Sequence, residues 1–306
     1  MRPRGAARPA WILQFHRRFP KSRLAEPMSR HTTFHIGGPA DAYLEVETEA
    51  ELAKVCRFAR RRRLPVFFIG WGSNLLVRDG GLRGIVARLR GEFDAVRFDG
   101  VRVFAGAGVR LPALVSACAR RGLAGAEPLI GVPGTVGGAL VMNAGTREGE
   151  IGDLVKSVRV LDRKSLKGAL LKRRSLRFGY RSSNLDKRVI LGAELELKPG
   201  SKVDILERIK NLQQRRLQTQ PVHTFNVGSI FKNPSGRFVA RLIEEAGLKG
   251  ARCGGASISR KHANFFENHG GATARDVLDL VRLVRGRIRR RYGVELEPEM
   301  RIVGEA

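Results

Sequence analysis

The sequence predicts an α+β protein: strand–helix units fill roughly its first two thirds, and a smaller α+β unit closes the chain. Three observations carry this. Amphipathic helices with recognisable caps alternate with short β-like runs. Two glycine-rich segments remain apolar, so they belong inside a fold rather than in a linker. A Pro199–Gly200 break separates the two halves.

The elements follow in order. Ala42–Glu47 and Val66–Ile69 read as strands that bracket a helix. Thr48 and Glu51 form a capping-box pair, and Leu52, Val55, Cys56 and Ala59 share one face of that helix, which stops near Arg62 ahead of Pro65. The tight turn Gly70–Asn74 comes next. Short β-like runs lie at Gly84–Leu89, Ala95–Phe98 and Val101–Ala105, and a helix over Pro112–Arg121 ends at Gly122. Gly125–Gly145 holds too many glycines and prolines for a regular helix or central strand. Strand-like runs return at Leu154–Leu161 and Val189–Leu197. Beyond the break, Ile205, Ile209 and Leu212 are spaced as in a helix ending near Pro221, and a further helix spans Arg237–Ala246. Thr273 and Asp276 cap a helix whose face is Val277, Leu280, Val281, Val284 and Ile288. The end of the chain alternates, with Val294, Leu296, Met300 and Ile302 on one side and Glu295, Glu297, Glu299 and Arg301 on the other. This reads as an edge or bulged strand around Pro298.

Composition excludes several classes. With 42% hydrophobic and 28% charged residues over 306 positions, the chain can bury a sizeable core. No apolar run is long enough to span a bilayer, and the stretch after the basic start is too short for a signal peptide, so a cytoplasmic protein without membrane insertion is expected. Cys56, Cys118 and Cys253 lack CxxC spacing, which argues against a disulfide framework and a structural zinc; no metal site is expected. The net charge of +28 invites a nucleic-acid reading. The basic residues are spread along the whole chain, however, and no nucleic-acid-binding signature accompanies them, so no dedicated nucleic-acid partner is expected.

Two segments could carry a cofactor. Gly70–Trp71–Gly72–Ser73–Asn74 follows a strand, and its glycines let consecutive N–H groups approach a phosphate. The second segment is Gly131–Ala139. Neither is a Rossmann turn or a P-loop. Either alone could be a structural turn; together they favour a pyrophosphate-bearing cofactor. Tyr180–Arg181–Ser182–Ser183, Gly228–Pro234 and Glu299 form a polar constellation from distant parts of the chain, which spacing cannot join.

At this point the sequence resembles the UDP-N-acetylenolpyruvoylglucosamine reductase (MurB) family, and its shorter second subtype in particular. The resemblance runs collinearly from about Leu24 to Gly304. It rests on HTTFHIGGPA (His31–Ala40), GWGSNLLV (Gly70–Val77), GVPGTVGGALVMNAG (Gly131–Gly145), FGYRSS (Phe178–Ser183), GSIFKNP (Gly228–Pro234), LIEEAGLKG (Leu242–Gly250), SRKHANFFEN (Ser259–Asn268) and LEPEMRIVG (Leu296–Gly304). Any one motif is weak; all of them in family order are specific.

The resemblance implies an FAD-binding domain of the vanillyl-alcohol-oxidase type. Its expected bounds are 24–200, dividing into two subdomains near 90, after an N-terminal extension with a helix at 1–23 and before a C-terminal α+β substrate domain at 201–306. It places FAD on Gly70, Gly72, Ser73 and Asn74 and on Gly134, Thr135, Gly137 and Gly138. Covalent flavin attachment is not expected, and His31 and His35 read as ordinary polar histidines. The resemblance further implies that NADPH would reduce the flavin and leave, and that hydride would then pass from flavin N5 to a UDP-sugar enolpyruvyl ether, giving UDP-N-acetylmuramate for the cell wall. Arg181 and Glu299 would stabilise the charge that develops, and Ser229 would donate the proton. Tyr180, Lys232 and Asn233 would touch the substrate.

Met300 departs mildly from the family pattern. Between Arg181 and Ser229 there is too little chain for the tyrosine-bearing loop that some members fold over the UDP-sugar, so another element must close the site. Three other readings share features of this sequence: a different flavin oxidase on the same fold, an inactive flavin binder, and a nucleic-acid binder. The C-terminal motifs speak against the first and the presence of Arg181, Ser229 and Glu299 against the second. The residues leave oligomeric state open; a monomer is the expectation.

Overall fold

The computed structural model describes residues 9–162 and 165–306. The first eight residues of the expected N-terminal extension lie outside the described residues. The chain opens with α1 (Ala10–Arg18), β1 (Arg23–Pro27), β2 (Pro39–Val46), α2 (Glu49–Arg61), β3 (Val66–Ile69), β4 (Leu75–Val77) and β5 (Leu82–Leu89). It continues through β6 (Val96–Asp99), β7 (Arg102–Gly106), α3 (Leu111–Arg120), β8 (Leu123–Ala124), α4 (Val136–Met142), β9 (Gly145–Thr146) and β10 (Gly149–Glu150). Then come β11 (Val155–Leu161), β12 (Gly168–Lys172), β13 (Phe178–Gly179), β14 (Ser182–Ser183), β15 (Val189–Glu196), β16 (Lys198–Pro199) and α5 (Lys202–Thr219). The last elements are α6 (Val239–Glu245), β17 (Arg252–Cys253), β18 (Ala256–Ile258), β19 (Phe266–Asn268), α7 (Ala274–Tyr292) and β20 (Arg301–Val303).

Two sheets organise the first two hundred residues. The first has the order β1-β2-β5-β3, with β5 parallel to both β2 and β3. β5 lies inside the sheet between β2 and β3, and Leu82, Ile85, Val86, Ala87 and Leu89 are buried while the two arginines, Arg83 and Arg88, stay half-buried. The second sheet is antiparallel throughout, in the order β12-β11-β15-β7-β6. One core cluster joins α2, α3 and α4 to both sheets. α5 lies beyond the Pro199–Gly200 break, yet Ile205 and Ile209 bury against this same cluster.

A second cluster forms around α7. Thr273 and Asp276 cap that helix reciprocally, as their spacing predicts, and Gly293 at φ +65° ends it. Hydrogen bonds from the backbone at Thr273 hold the Asp276 carboxyl below the usual range. Val277, Leu280, Val281, Val284 and Ile288 are all buried against β17–β19 and α6, each contributing about 1.5–3 kcal/mol of apolar burial. Phe34, Ile36 and Leu76 also enter this cluster, which ties the first third of the chain to the last.

The helix capped by Thr48 also forms as expected: Thr48 accepts from the Glu51 N–H, while the Glu51 carboxylate takes the N–H of Glu47. Cys56 and Cys118 are buried core residues.

Two expectations need correction. The glycine-rich segment does contain a helix, α4, seven residues long. Thr135 caps it, and Gly137 packs tightly on Ala107, a Cβ there standing 3.1 Å from it. The alternating segment at the chain end is a strand only over Arg301–Val303. Leu296 and Met300 do point into the core. Pro298 has no N–H to donate, and the stretch before β20 is held instead against residues 230–232.

Candidate active site

The site begins with a two-residue hairpin. β13 pairs with β14 so that Gly179 faces Ser182, leaving Tyr180 and Arg181 as the loop. Arg181 adopts φ +52°, left-handed backbone that a side chain disfavours. The guanidinium repays that strain with three contacts. Its Nε donates to Glu299 at 2.9 Å, one terminal nitrogen lies 3.4 Å from Glu150, and the other donates to the Gly145 carbonyl at 3.1 Å.

Glu299 arrives from the far end of the chain. β20 pairs in parallel with β4, so the residues just before it pass the first glycine loop. The Asn74 side chain donates to the Glu299 carbonyl at 3.1 Å, and the Arg301 N–H donates to the Asn74 carbonyl. On the other side, the Glu299 N–H donates to the Ile230 carbonyl at 2.8 Å and the Lys232 N–H to the Glu297 carbonyl at 2.9 Å. Ser229 is therefore one residue from the Glu299 contact, and a bridge to Phe265 fixes its own backbone. Among the described residues the Ser229 hydroxyl has no hydrogen-bond partner. Three sequence-predicted residues, 48 to 118 positions apart in sequence, thus meet in one place.

Burial pushes the Glu299 carboxyl up, and the nearby Arg181 and Lys232 oppose that shift without cancelling it. Only 15% of its side chain is exposed, so loss of solvent outweighs the ion pair. Lys232 reaches Glu297 at 2.6 Å. Tyr180 and Asn233 also meet, the Asn233 N–H lying 3.4 Å from the Tyr180 hydroxyl. The Asn233 side-chain oxygen accepts the Val239 N–H at the start of α6, which orients its amide.

The two glycine loops touch. Ser73 Oγ donates to the Pro133 carbonyl at 2.6 Å, and a Cβ on Gly70 would fall 2.5 Å from Thr135 Oγ1. Gly72, at φ +70°, packs so closely on the His31 carbonyl that a Cβ would lie 2.1 Å from it. Among the described residues, the successive N–H groups of Trp71, Gly72 and Ser73 donate to no other backbone group. Such a run of unspent donors fits a diphosphate. The second loop is used differently. The Val136 and Gly137 N–H groups are already taken by Val109 and Ala107, and Gly138 donates to Thr135 at 3.4 Å. Gly134 instead leaves the space beside Ser73 open.

Arg216, on α5, escaped the sequence reading. Its guanidinium lies against the second loop, where a Cβ on Gly131 would be 3.1 Å from its Cδ. Its Nε is buried without a partner, and burial lowers its proton affinity. A buried, unanswered donor beside an open loop fits a polar group of a bound cofactor. Asn143 and Glu150 were missed as well. Asn143, in the left-handed region at the end of α4, donates to Glu150 and to the Gly179 carbonyl at 3.1 Å, which steadies the hairpin beneath Arg181. Its left-handed cap had no signal in the sequence beyond an asparagine before Ala-Gly.

A two-sheet domain with an open glycine cradle, joined to a C-terminal unit that supplies polar groups at its mouth, defines an FAD-binding oxidoreductase. Residues 40–165 match an FAD binding domain family, and residues 220–303 match the C-terminal domain of UDP-N-acetylenolpyruvoylglucosamine reductase. A reductase of that name from Moorella thermoacetica is 46% identical over 281 residues, covering 92% of each chain. One from Rubrobacter xylanophilus is 43% identical, covering 94% of this chain and 97% of its own. The crystal structure of UDP-N-acetylenolpyruvylglucosamine reductase (MurB) from Thermus caldophilus superposes with a TM-score of 0.80 at 39% identity, covering 92% of this chain and 97% of that one. The chain belongs to the UDP-N-acetylenolpyruvoylglucosamine reductase family. The expected architecture, an FAD-binding domain followed by a C-terminal α+β domain, is the one observed.

Proposed function

We propose that the protein uses NADPH to reduce UDP-N-acetyl-3-O-(1-carboxyvinyl)-glucosamine to UDP-N-acetylmuramate, in the cytoplasm, where nucleotide sugars and NADPH are found. The observation that carries this reading is the Arg181–Glu299 pair held beside Ser229 at the end of the glycine cradle.

The Trp71–Ser73 donors and Arg216 would hold FAD, which when bound supplies the hydride for the enolpyruvyl double bond. Arg181 supplies fixed positive charge where the substrate carboxylate gathers the negative charge left by hydride addition. Its contacts to Glu150 and the Gly145 carbonyl hold it there before the substrate arrives, so little reorganisation is needed in the transition state. Glu299, with its proton affinity raised by burial, is suited to donate a hydrogen bond to that charge. Ser229 gives its proton to the carbon beside the carboxylate. Lys232, Tyr180 and Asn233 would contact the UDP-sugar, Lys232 by exchanging Glu297 for substrate.

The test is the product. With NADPH and the enolpyruvyl ether, the substrate should gain two hydrogens by mass spectrometry, and in heavy water one deuterium should appear at the carbon next to the carboxylate. A substrate mass that never changes would refute the assignment. Deuterium found only at the methyl carbon would refute the role of Ser229.

A further inference from the structure

The catalytic residues gather at the Asn74 end of the first glycine loop, and the Trp71 end is built for something else. The Trp71 ring carries two arginines: the Arg110 guanidinium carbon is 3.7 Å from its centre and that of Arg88 is 4.9 Å away. Both are held by backbone rather than by chance. Arg88 sits on β5 directly opposite Ile69, the last residue of β3 before the loop. Arg110 bridges to Thr135 and is flanked by the Val136-to-Val109 and Leu111-to-Gly134 hydrogen bonds, so it is fixed to the second glycine loop. The indole thus joins a cation from each side of the cradle.

Among the described residues neither arginine has a carboxylate within ion-pair distance, and Arg88 shares only a hydrogen bond with the Tyr43 hydroxyl, whereas neighbouring Arg90 has Asp94 at 3.2 Å. Partial burial and the positive charges of Arg88 and Arg110's other neighbour, Arg90, lower the proton affinity of Arg110. Cations that repel one another and lack an acid call for an anion.

We propose that Arg88 and Arg110, stacked on Trp71, form a cation clamp for the diphosphate of the bound dinucleotide, which is FAD. This rests on the reading that FAD lies over the first glycine loop. A dinucleotide whose reacting ring lay near Glu299 at the Asn74 end would pass the unspent N–H groups of 71–73, where Arg88 and Arg110 could reach its phosphates. Trp71 acts as a positioning residue that keeps two flexible guanidinium groups in place.

The experiment measures flavin retention by the purified holoprotein, through flavin fluorescence released on dilution, for wild type and for Arg88→Met, Arg110→Met, Trp71→Ala and Trp71→Phe. Riboflavin, which has no phosphate, is measured in parallel. Each arginine variant should hold FAD about tenfold less tightly, the effect of one lost charge-assisted contact. Riboflavin binding should not change, added salt should weaken FAD binding less than in wild type, and Trp71→Phe should stay close to wild type. Arg121→Met, which removes an arginine stacked 4.1 Å over Phe98 elsewhere in the domain, should leave FAD retention unchanged.

Equal weakening of FAD and riboflavin would reduce the cluster to a packing element and overturn the clamp. Unchanged FAD retention with a raised KM for NADPH would assign the arginines to the reductant and overturn it too. A wild-type protein that retains no FAD would instead remove the cofactor reading itself. If Trp71→Ala fails to fold, the arginine variants and Trp71→Phe decide the matter.

Discussion

Replacing Arg181 by methionine separates what this residue does for the fold from what it does for the reaction. The substitution removes the 2.9 Å contact to Glu299, the 3.4 Å contact to Glu150 and the bond to the Gly145 carbonyl. Breaking a buried ion pair by deleting one partner costs about 3–5 kcal/mol. Here the side chains keep 20% and 15% of their exposure, and Glu299 can take up a proton instead of remaining charged, so about 2–3 kcal/mol is expected near pH 8. For a chain of this size that corresponds to a fall in Tm of about 3–5 °C. The deficit must depend on pH. Burial already raises the folded-state pKa of Glu299, and losing Arg181 raises it further. The folded state then binds a proton more tightly than the unfolded chain, so stability falls as pH rises from the unfolded value toward the folded one. Below that window the deficit shrinks. Adding Glu299→Gln removes the stranded carboxylate and should restore most of the lost stability at pH 8 without restoring turnover, because the charge facing the substrate carboxylate is still absent. Thermal melts at two pH values and the double-mutant cycle read this out. A deficit independent of pH, or a double variant no more stable than Arg181→Met, would refute the coupling.

Ser229→Ala should leave flavin reduction by NADPH intact and slow turnover of the enolpyruvyl substrate by about 10²–10⁴-fold, the usual worth of a positioned proton donor; stopped-flow measurement of the two half-reactions checks this. Gly72→Ala places a Cβ 2.1 Å from the His31 carbonyl at φ +70°. It should destabilise the protein by about 3 kcal/mol and weaken FAD binding, and an unchanged melting temperature would contradict that close approach. Burial holds His31 and His262 below the ordinary histidine pKa, so both take up a proton less readily in the fold than in the unfolded chain. The unfolded chain then binds more protons, and stability should fall as pH drops below about 6.5. Denaturant midpoints at pH 7.5 and 5.5 test this, and replacing both histidines by glutamine should flatten the difference.

The parts of the fold that local chemistry determines were legible in the sequence. Thr48 and Thr273 announce α2 and α7 because a capping side chain and the apolar spacing after it suffice. The chain end was not legible: Val294 to Ile302 alternates because Leu296 and Met300 reach the core, but the backbone pairs as a strand only from Arg301. Alternation reports burial, not ladder formation. α4 was hidden because its glycines discourage a helix, and the residue that Gly137 packs against, Ala107, lies thirty residues upstream.

The site shows the same division. Each motif was visible in the sequence, but the Arg181–Glu299 contact spans 118 residues and exists only because β20 returns to β4. Arg216 looked like any arginine of a basic helix, and only its buried Nε beside Gly131 distinguishes it.

The most direct measurement is the visible spectrum of the purified protein under anaerobic conditions, with NADPH added first and the UDP-sugar enolpyruvyl ether second. A flavin absorption that bleaches with NADPH and returns in full with that substrate is the predicted result. A flavin that bleaches and stays bleached in the presence of the substrate would contradict the proposed reaction while leaving the fold and its cofactor in place.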